Sequence, residues 1–126
     1  MHKMFLLFSH KLTQFQKDDA LASWGISEFV ELPSELQTLW SNIPAELKTL
    51  TIYLEPLKEH LKKSVLKDDV ILIQGDFGGT CEMIKFCKEN NLLAVHSTTK
   101  REVKETLKEN KVLKTSTFEH VIFRRY

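Results

Sequence analysis

The sequence predicts an α/β fold, a mainly parallel sheet flanked by helices, and three observations carry that expectation. Short apolar runs alternate with helical stretches up to residue 99, the pattern of parallel strands joined by crossover helices. Val70-Ile71-Leu72-Ile73 is continuously apolar, as expected of a strand covered on both faces. Directly after it, Gly75, Gly78 and Gly79 place three of the chain's four glycines in one strand-to-helix turn. There the backbone must turn sharply or approach something closely.

The elements follow in order. Lys3 to Ser9 reads as the first strand. Thr13 and Gln16 stand at capping-box spacing, so a helix follows to about Trp24, where Gly25 ends it. Ser27 to Leu32 reads as a short second strand. Pro33-Ser34 opens another helix, with Ser34 and Gln37 at capping-box spacing and Leu36, Leu39, Trp40 and Ile43 as its apolar stripe. From Pro44, leucines at 47, 50, 54, 57 and 61 and Val65 recur at three and four, predicting one long amphipathic helix or two consecutive ones, kinked or restarted at Pro56. Strand Val70–Ile73 leads into a helix with apolar Cys81, Met83, Ile84, Phe86 and Cys87, stopped at Asn90-Asn91. Leu92 to His96 is the fourth strand. Beyond Thr99 a β-rich hairpin and last strand are expected, with a turn at 109–111. A helix over 101–109 is the rival, because Glu, Lys and Leu favour it.

Length and composition bound the function. The 126 residues make one domain, 1–126, with 42% apolar and 28% charged residues, so the chain is globular and not disordered. A net charge of +1 argues against coating long nucleic acid. The apolar run from Met4 to Phe8 is too short for a signal peptide or membrane span, so no membrane partner and a cytoplasmic location are expected. Cys81 and Cys87 lie six apart on one helix and read as reduced core residues. His2, His60, His96 and His120 show no metal spacing, and no Cys-x-x-Cys or His-Glu-x-x-His occurs. The glycine turn is neither a Walker A loop nor Gly-x-Gly-x-x-Gly, and no Gly-x-Ser-x-Gly elbow is present. ATP hydrolysis, dinucleotide redox chemistry and serine hydrolysis lose support.

If strands one and three are neighbours, the loops leaving their carboxyl ends form a switch-point crevice, the usual ligand position in such sheets. Ser9-His10-Lys11 would then face Gly75 to Thr80, with Ser97, Thr98, Thr99, Lys100 and Arg101 added from strand four. Free amides at the following helix N-terminus favour an anion, so a phosphate-bearing ligand is expected. Asp76 reads equally as an N-cap or a ligand contact. His10 is either a solvated loop residue or an acid, base or phosphate donor. Lys11 is a surface lysine or a phosphate contact. Thr80 donates to phosphate or packs in the first turn. Phe77 stacks on a base or, more simply, anchors the turn from beneath. Trp40 reads as core. Asn42 caps the next helix or reaches a ligand or partner.

Several stretches together carry a family resemblance: Phe5 to Thr13, Glu35 to Pro44, Tyr53 to Pro56, Gln74 to Thr80, Ala94 to Thr99 and Phe118 to Arg124. They resemble a small family encoded beside type III CRISPR systems, related to the CARF (CRISPR-associated Rossmann-like) domains. The resemblance implies a single CARF-like, Rossmann-like domain and a homodimer. It implies binding of cyclic oligoadenylate, most simply cyclic tetra-adenylate, and ring-nuclease activity that removes this second messenger. It implies a reaction without metal or cofactor, in which a ribose 2′-hydroxyl attacks the adjacent phosphorus. A cyclic tetranucleotide has approximate two-fold symmetry, which a homodimer would match. On the loops, His10 and Asp76 are the expected catalytic pair. His10 would assist proton transfer, and Asp76 would accept the 2′-hydroxyl hydrogen or orient the ribose. Ser9, Lys11, Asn42, Gln74, Gly75, Phe77, Gly78, Gly79, Thr80, Thr98 and Thr99 are expected to bind the ligand. A binder that sequesters the messenger without cutting it, and a module docking an effector through the leucine-striped helices, are the alternatives.

Overall fold

Thr13 and Gln16 form the expected capping box: Gln16 N–H donates to Thr13 Oγ1 at 3.1 Å, and Thr13 N–H donates to Gln16 Oε1 at 2.9 Å. The helix they start runs Gln14–Trp24 (α1) and ends at Gly25, whose φ of 67° is the left-handed cap that glycine adopts without strain. The computed structural model describes residues 2–126. Before α1 lies β1 (His2–Leu7). After it come β2 (Ile26–Glu31), α2 (Ser34–Ser41), α3 (Glu55–Ser64), β3 (Val70–Ile73), α4 (Phe77–Glu89), β4 (Leu93–Lys108) and β5 (Lys111–Arg125).

One five-stranded sheet has the order β2-β1-β3-β4-β5. The first four strands are parallel, and β5 returns antiparallel to β4, so the sheet is mixed. β1 and β3 are neighbours, with Met4 opposite Val70 and Leu7 opposite Ile73. The chain therefore leaves β1 toward one side of the sheet and β3 toward the other.

Strand alternation sorts the core into two layers. Phe5, Leu7, Ile71 and Ile73 meet Trp40, Leu54, Leu57, Leu61, Met83 and Phe86 on the face covered by α2, α3 and α4. Met4, Leu6, Val70, Leu72, Val95 and Phe123 meet Ala20 on the other face, covered by α1.

Four expectations need correction. The Ser34/Gln37 capping box does not form: Pro33 occupies the cap position, and Gln37 instead donates to the Phe8 carbonyl. The leucine stripe is helical only from Glu55, so it is neither one long helix nor two consecutive ones. Residues 44–54 form successive turns, with Leu47 N–H on Pro44 O and Leu54 N–H on Leu50 O; Leu50 and Leu54 turn to the core while Leu47 stays exposed. Pro56 starts α3 in its first turn, where it sacrifices no hydrogen bond. Leu54, Leu57 and Leu61 are fully buried in the protein's own core, which removes them from any docking surface. Cys87 is buried as expected, and burial pushes its thiol up to about 12, but Cys81 is exposed.

Beyond residue 96 the hairpin prevails over the helix. β4 runs unbroken to Lys108 and turns at Glu109 and Asn110, whose φ values of 51° and 63° suit a two-residue connection of the I′ kind. Val103, Thr106, Val112, Thr115 and Thr117 are β-branched and sit comfortably on a pleated ribbon. Opposite Thr98, β5 carries one extra residue, and Thr98 Oγ1 accepts from Ile122 N–H while donating to its carbonyl, both at 3.1 Å.

Candidate functional site

The carboxyl ends of β1 and β3 are tied by Gln74 N–H donating to Leu7 O at 3.0 Å. Two separate cavities open around this point. The first, about 530 Å³, lies between the ends of β1 and β2 and the α2 helix; Ser9, His10, Lys11, Glu31 and Ser41 line it. Ser9 Oγ and Ser41 Oγ are 3.0 Å apart, and Gln37 Nε2 donates to Ser41 Oγ at 2.9 Å, so these hydroxyls are pre-set by α2. The His10 ring stands edge-on to Phe8 at 5.5 Å, which fixes its direction.

The second cavity, about 400 Å³, lies over the N-terminus of α4. Asp76 and Gly78 form one wall, and Lys48, Thr49 and Thr51 of the turn segment form another, with Glu82 at its floor. Asp76 is the N-cap, its Oδ2 accepting from Gly79 N–H at 2.9 Å. Phe77 and Gly78 occupy the first two helical positions, where amides have no intrahelical acceptor. Beside them, Lys58 donates to Glu82 Oε1 at 2.9 Å and to Thr51 O at 3.4 Å. The Lys58 hydrogen bond holds the Glu82 carboxyl below the usual carboxylate range, burial opposing it.

Trp40, buried in the core, explains two of the glycines. A Cβ on Gly75 would stand 3.1 Å from the indole, and one on Gly79 would stand 2.6 Å from Ile43 Cδ1 and 3.2 Å from the indole. The close approach inferred from the glycines is thus made by the core itself at these two positions. At Gly78 a Cβ would meet Asp76 Oδ2 and Leu50 only at 3.4 Å, so this glycine is not demanded by packing. The indole Nε1 donates to the Gln74 carbonyl at 3.4 Å.

The expected site residues therefore divide. Ser9, His10 and Lys11 share one cavity, and Asp76 and Gly78 share the other; His10 and Asp76 do not line the same one. Gln74 is engaged internally, its Oε1 accepting from Ser97 N–H at 2.7 Å. Phe77 is 92% exposed, so it is not the buried anchor expected of it. Thr80 turns its hydroxyl into the interior, where it is shielded from solvent and has no partner among the described residues. Asn42 closes α2, its Nδ2 donating to Thr38 O, and does not cap a following helix. Thr98 secures the bulge, and exposed Thr99 lies opposite His120 on the hairpin.

One constellation escaped the sequence reading. Ser97 Oγ lies 2.5 Å from His120 Nδ1, His120 Nε2 lies 2.7 Å from Asp19 Oδ2, and Gln16 Nε2 reaches Ser97 Oγ at 3.4 Å. Ser97, His120 and Gln16 are buried, and each ring nitrogen has a partner. A buried polar set so fully satisfied locks β4, β5 and α1 together. Asp19 and His120 are 101 positions apart, and only the topology joins them. On the opposite face His96 stacks on Tyr126 at 4.7 Å; burial, and then Arg124, lowers the His96 pKa. Among the described residues, no His, Cys, Asp and Glu group is arranged to hold a metal ion. Among the described residues no helix is long and apolar enough to cross a membrane.

Comparison with known proteins gives a family. The chain is 48% identical to "Uncharacterized protein MJ1673" of Methanocaldococcus jannaschii, over 100% of this chain and 98% of the relative. No solved structure matches. The match to the family described as Uncharacterized protein MJ1673 covers residues 2–124, and the chain belongs to that family.

Proposed function

We propose that this protein is a ring nuclease that binds a cyclic oligoadenylate, cyclic tetra-adenylate in the first instance, and opens it to linear products without a metal. The observation that carries this reading is the switch point at the carboxyl ends of neighbouring β1 and β3, flanked by two cavities, one lined by His10 and Lys11 and the other by Asp76 and Gly78 at the α4 N-terminus. The sequence resemblance to CARF-related ring nucleases supplies the chemistry, and a Rossmann-like, CARF-like classification of the domain goes with it. In this reading the amides of Phe77 and Gly78, Lys11 and Lys48 hold phosphates. Asp76 accepts the 2′-hydroxyl hydrogen. The 2′-oxygen bonds to phosphorus as the 5′-oxygen departs, leaving a 2′,3′-cyclic phosphate, and His10 donates a proton to the departing oxygen or offsets charge on the phosphoryl group. This step requires one phosphate of the ring to lie between the two cavities, within reach of His10 from one and of Asp76 from the other. The active species is a homodimer that switches off type III CRISPR signalling and works in the cytoplasm.

The placement of His10 and Asp76 in separate cavities favours a second reading, a binder that sequesters the ring uncut. Incubation with cyclic tetra-adenylate in excess EDTA, with products resolved by chromatography and mass detection, separates the two. Linear di-adenylate with a cyclic phosphate end, slowed in His10→Ala and Asp76→Ala, supports the nuclease. Tight binding of intact ring supports sequestration. Absence of both binding and products sinks the second-messenger reading for this ring size.

A further inference from the structure

β4 pairs with β3 only over Leu93 to Val95; beyond the end of β3 its sole partner is β5. From Thr98 to Lys108 the other edge of β4 presents unpaired backbone donors and acceptors, and such an edge is a template for another strand. A two-stranded ribbon is by itself marginal in water. On the α1 side Val103, Leu107, Val112 and Phe118, at 51%, 76%, 60% and 70% exposure, alternate with Arg101, Glu105 and Lys114, and the other face carries Lys100, Glu102, Lys104 and Glu119 beside Leu113.

The free edge reads Arg101-Glu102-Val103-Lys104-Glu105, positive, negative, apolar, positive, negative. Laid antiparallel against its own copy about Val103, it sets Arg101 opposite the second copy's Glu105 and Glu102 opposite its Lys104, with Val103 facing itself. Each opposite-charge pair occurs twice. A shift of one residue would put opposed side chains on different faces, so the nearest alternatives are shifted by two positions and centre on Glu102 or Lys104, each of which then faces its own copy; directly opposed like charges are destabilising. Of the registers centred on residues 101–105, the one about Val103 alone opposes no like charges.

We propose that this edge is the homodimer interface: β4 pairs antiparallel with β4 of a second copy, centred on Val103, to give a four-stranded sheet across a two-fold axis. The pairing brings the exposed Val103 side chains of the two copies together and points the carboxyl ends of the two sheets toward each other. It specifies the surface of the homodimer in the function proposed above and does not depend on that function's chemistry.

Sedimentation equilibrium of the full chain without nucleotide tests it. The wild-type chain is expected to be a dimer. Arg101→Glu and Glu105→Arg, each alone, oppose like charges twice and should weaken the dimer by about tenfold or more. Mixing the two variants should restore a dimer, because each introduced charge then faces an opposite charge across the two-fold axis. Val103→Cys in a Cys81→Ser background should cross-link to itself under mild oxidation, and Leu107→Cys should not. A monomeric wild-type chain, single variants that dimerise as tightly as wild type, or a mixture that stays monomeric would each overturn the interface. If the dimer is lost while cyclic tetra-adenylate is still cut, the interface stands and the need for a dimer in catalysis falls. If the dimer persists and the ring is neither bound nor cut, the interface stands and the proposed function fails.

Discussion

The body of the sheet and the ribbon that leaves it are made of one continuous strand but are stabilised differently. Up to Val95, β4 lies between two strands with helices packed across the sheet, and its side chains are buried in both layers. From Thr99 onward the same strand has one neighbour and no covering layer, and most of its side chains are exposed. The body draws its stability from apolar burial; the ribbon depends on cross-strand pairs such as Lys114–Glu105 at 3.6 Å and the Arg101 bonds to Ser116 Oγ. Local opening should therefore be far easier in the ribbon than in the body.

Substitutions can test this division. The largest effect is expected for Trp40→Ala, which removes a 2%-exposed indole from beneath the glycine turn and should cost about 3–5 kcal/mol in thermal or denaturant unfolding. Gly79→Ala places a methyl 2.6 Å from Ile43 Cδ1 and should cost about 1–3 kcal/mol; adding Ile43→Val should recover part of the loss, which a purely conformational cost would not allow. Glu82→Gln should cost about 1–2 kcal/mol by weakening the bond from buried Lys58. The Glu82 pKa is held below its usual 4.5, so its contribution is complete above that pH and is lost as pH falls through the lowered folded value. Glu82→Gln should abolish that acid-side component of the stability profile. The smallest global effect belongs to the ribbon. Glu109→Gly relieves a positive φ of 51° and should raise hydrogen-exchange protection of 100–119 by about 1 kcal/mol or less, leaving the melting temperature of the body unchanged. A shift of the whole melting curve would show that ribbon and body unfold as one unit.

What was legible in the sequence was local. The Thr13 and Gln16 capping box, the Gly25 stop, the apolar Val70–Ile73 strand and the Asp76 cap each depend on neighbours within a few positions, and each stands where the pattern placed it. The alternation of elements left the adjacency of β1 and β3 as a condition, and the sheet order supplies it. Long-range compensation was not legible. Gly75 and Gly79 read as a cradle for a ligand because nothing local says that Trp40 and Ile43 occupy the space beneath them. Leu50 and Leu54 kept a helical period while the backbone made turns, since the core rewards inward placement whatever backbone supplies it. Ser97, His120 and Asp19 meet only once α1 crosses the sheet and β5 turns back, and each alone looks like an ordinary surface residue.

The position of Trp40 also equips the molecule with an optical probe. The chain has two tryptophans. Trp24 lies on the α1 face beneath the Arg125 guanidinium, 5.6 Å from its ring, away from either cavity. Trp40 lies beneath the glycine turn with its indole N–H on the Gln74 carbonyl. In a Trp24→Phe chain all indole emission comes from beneath that turn. Any ligand that reorganises the turn from Gln74 to Gly79 then reports its own arrival as a change in fluorescence, with no label attached.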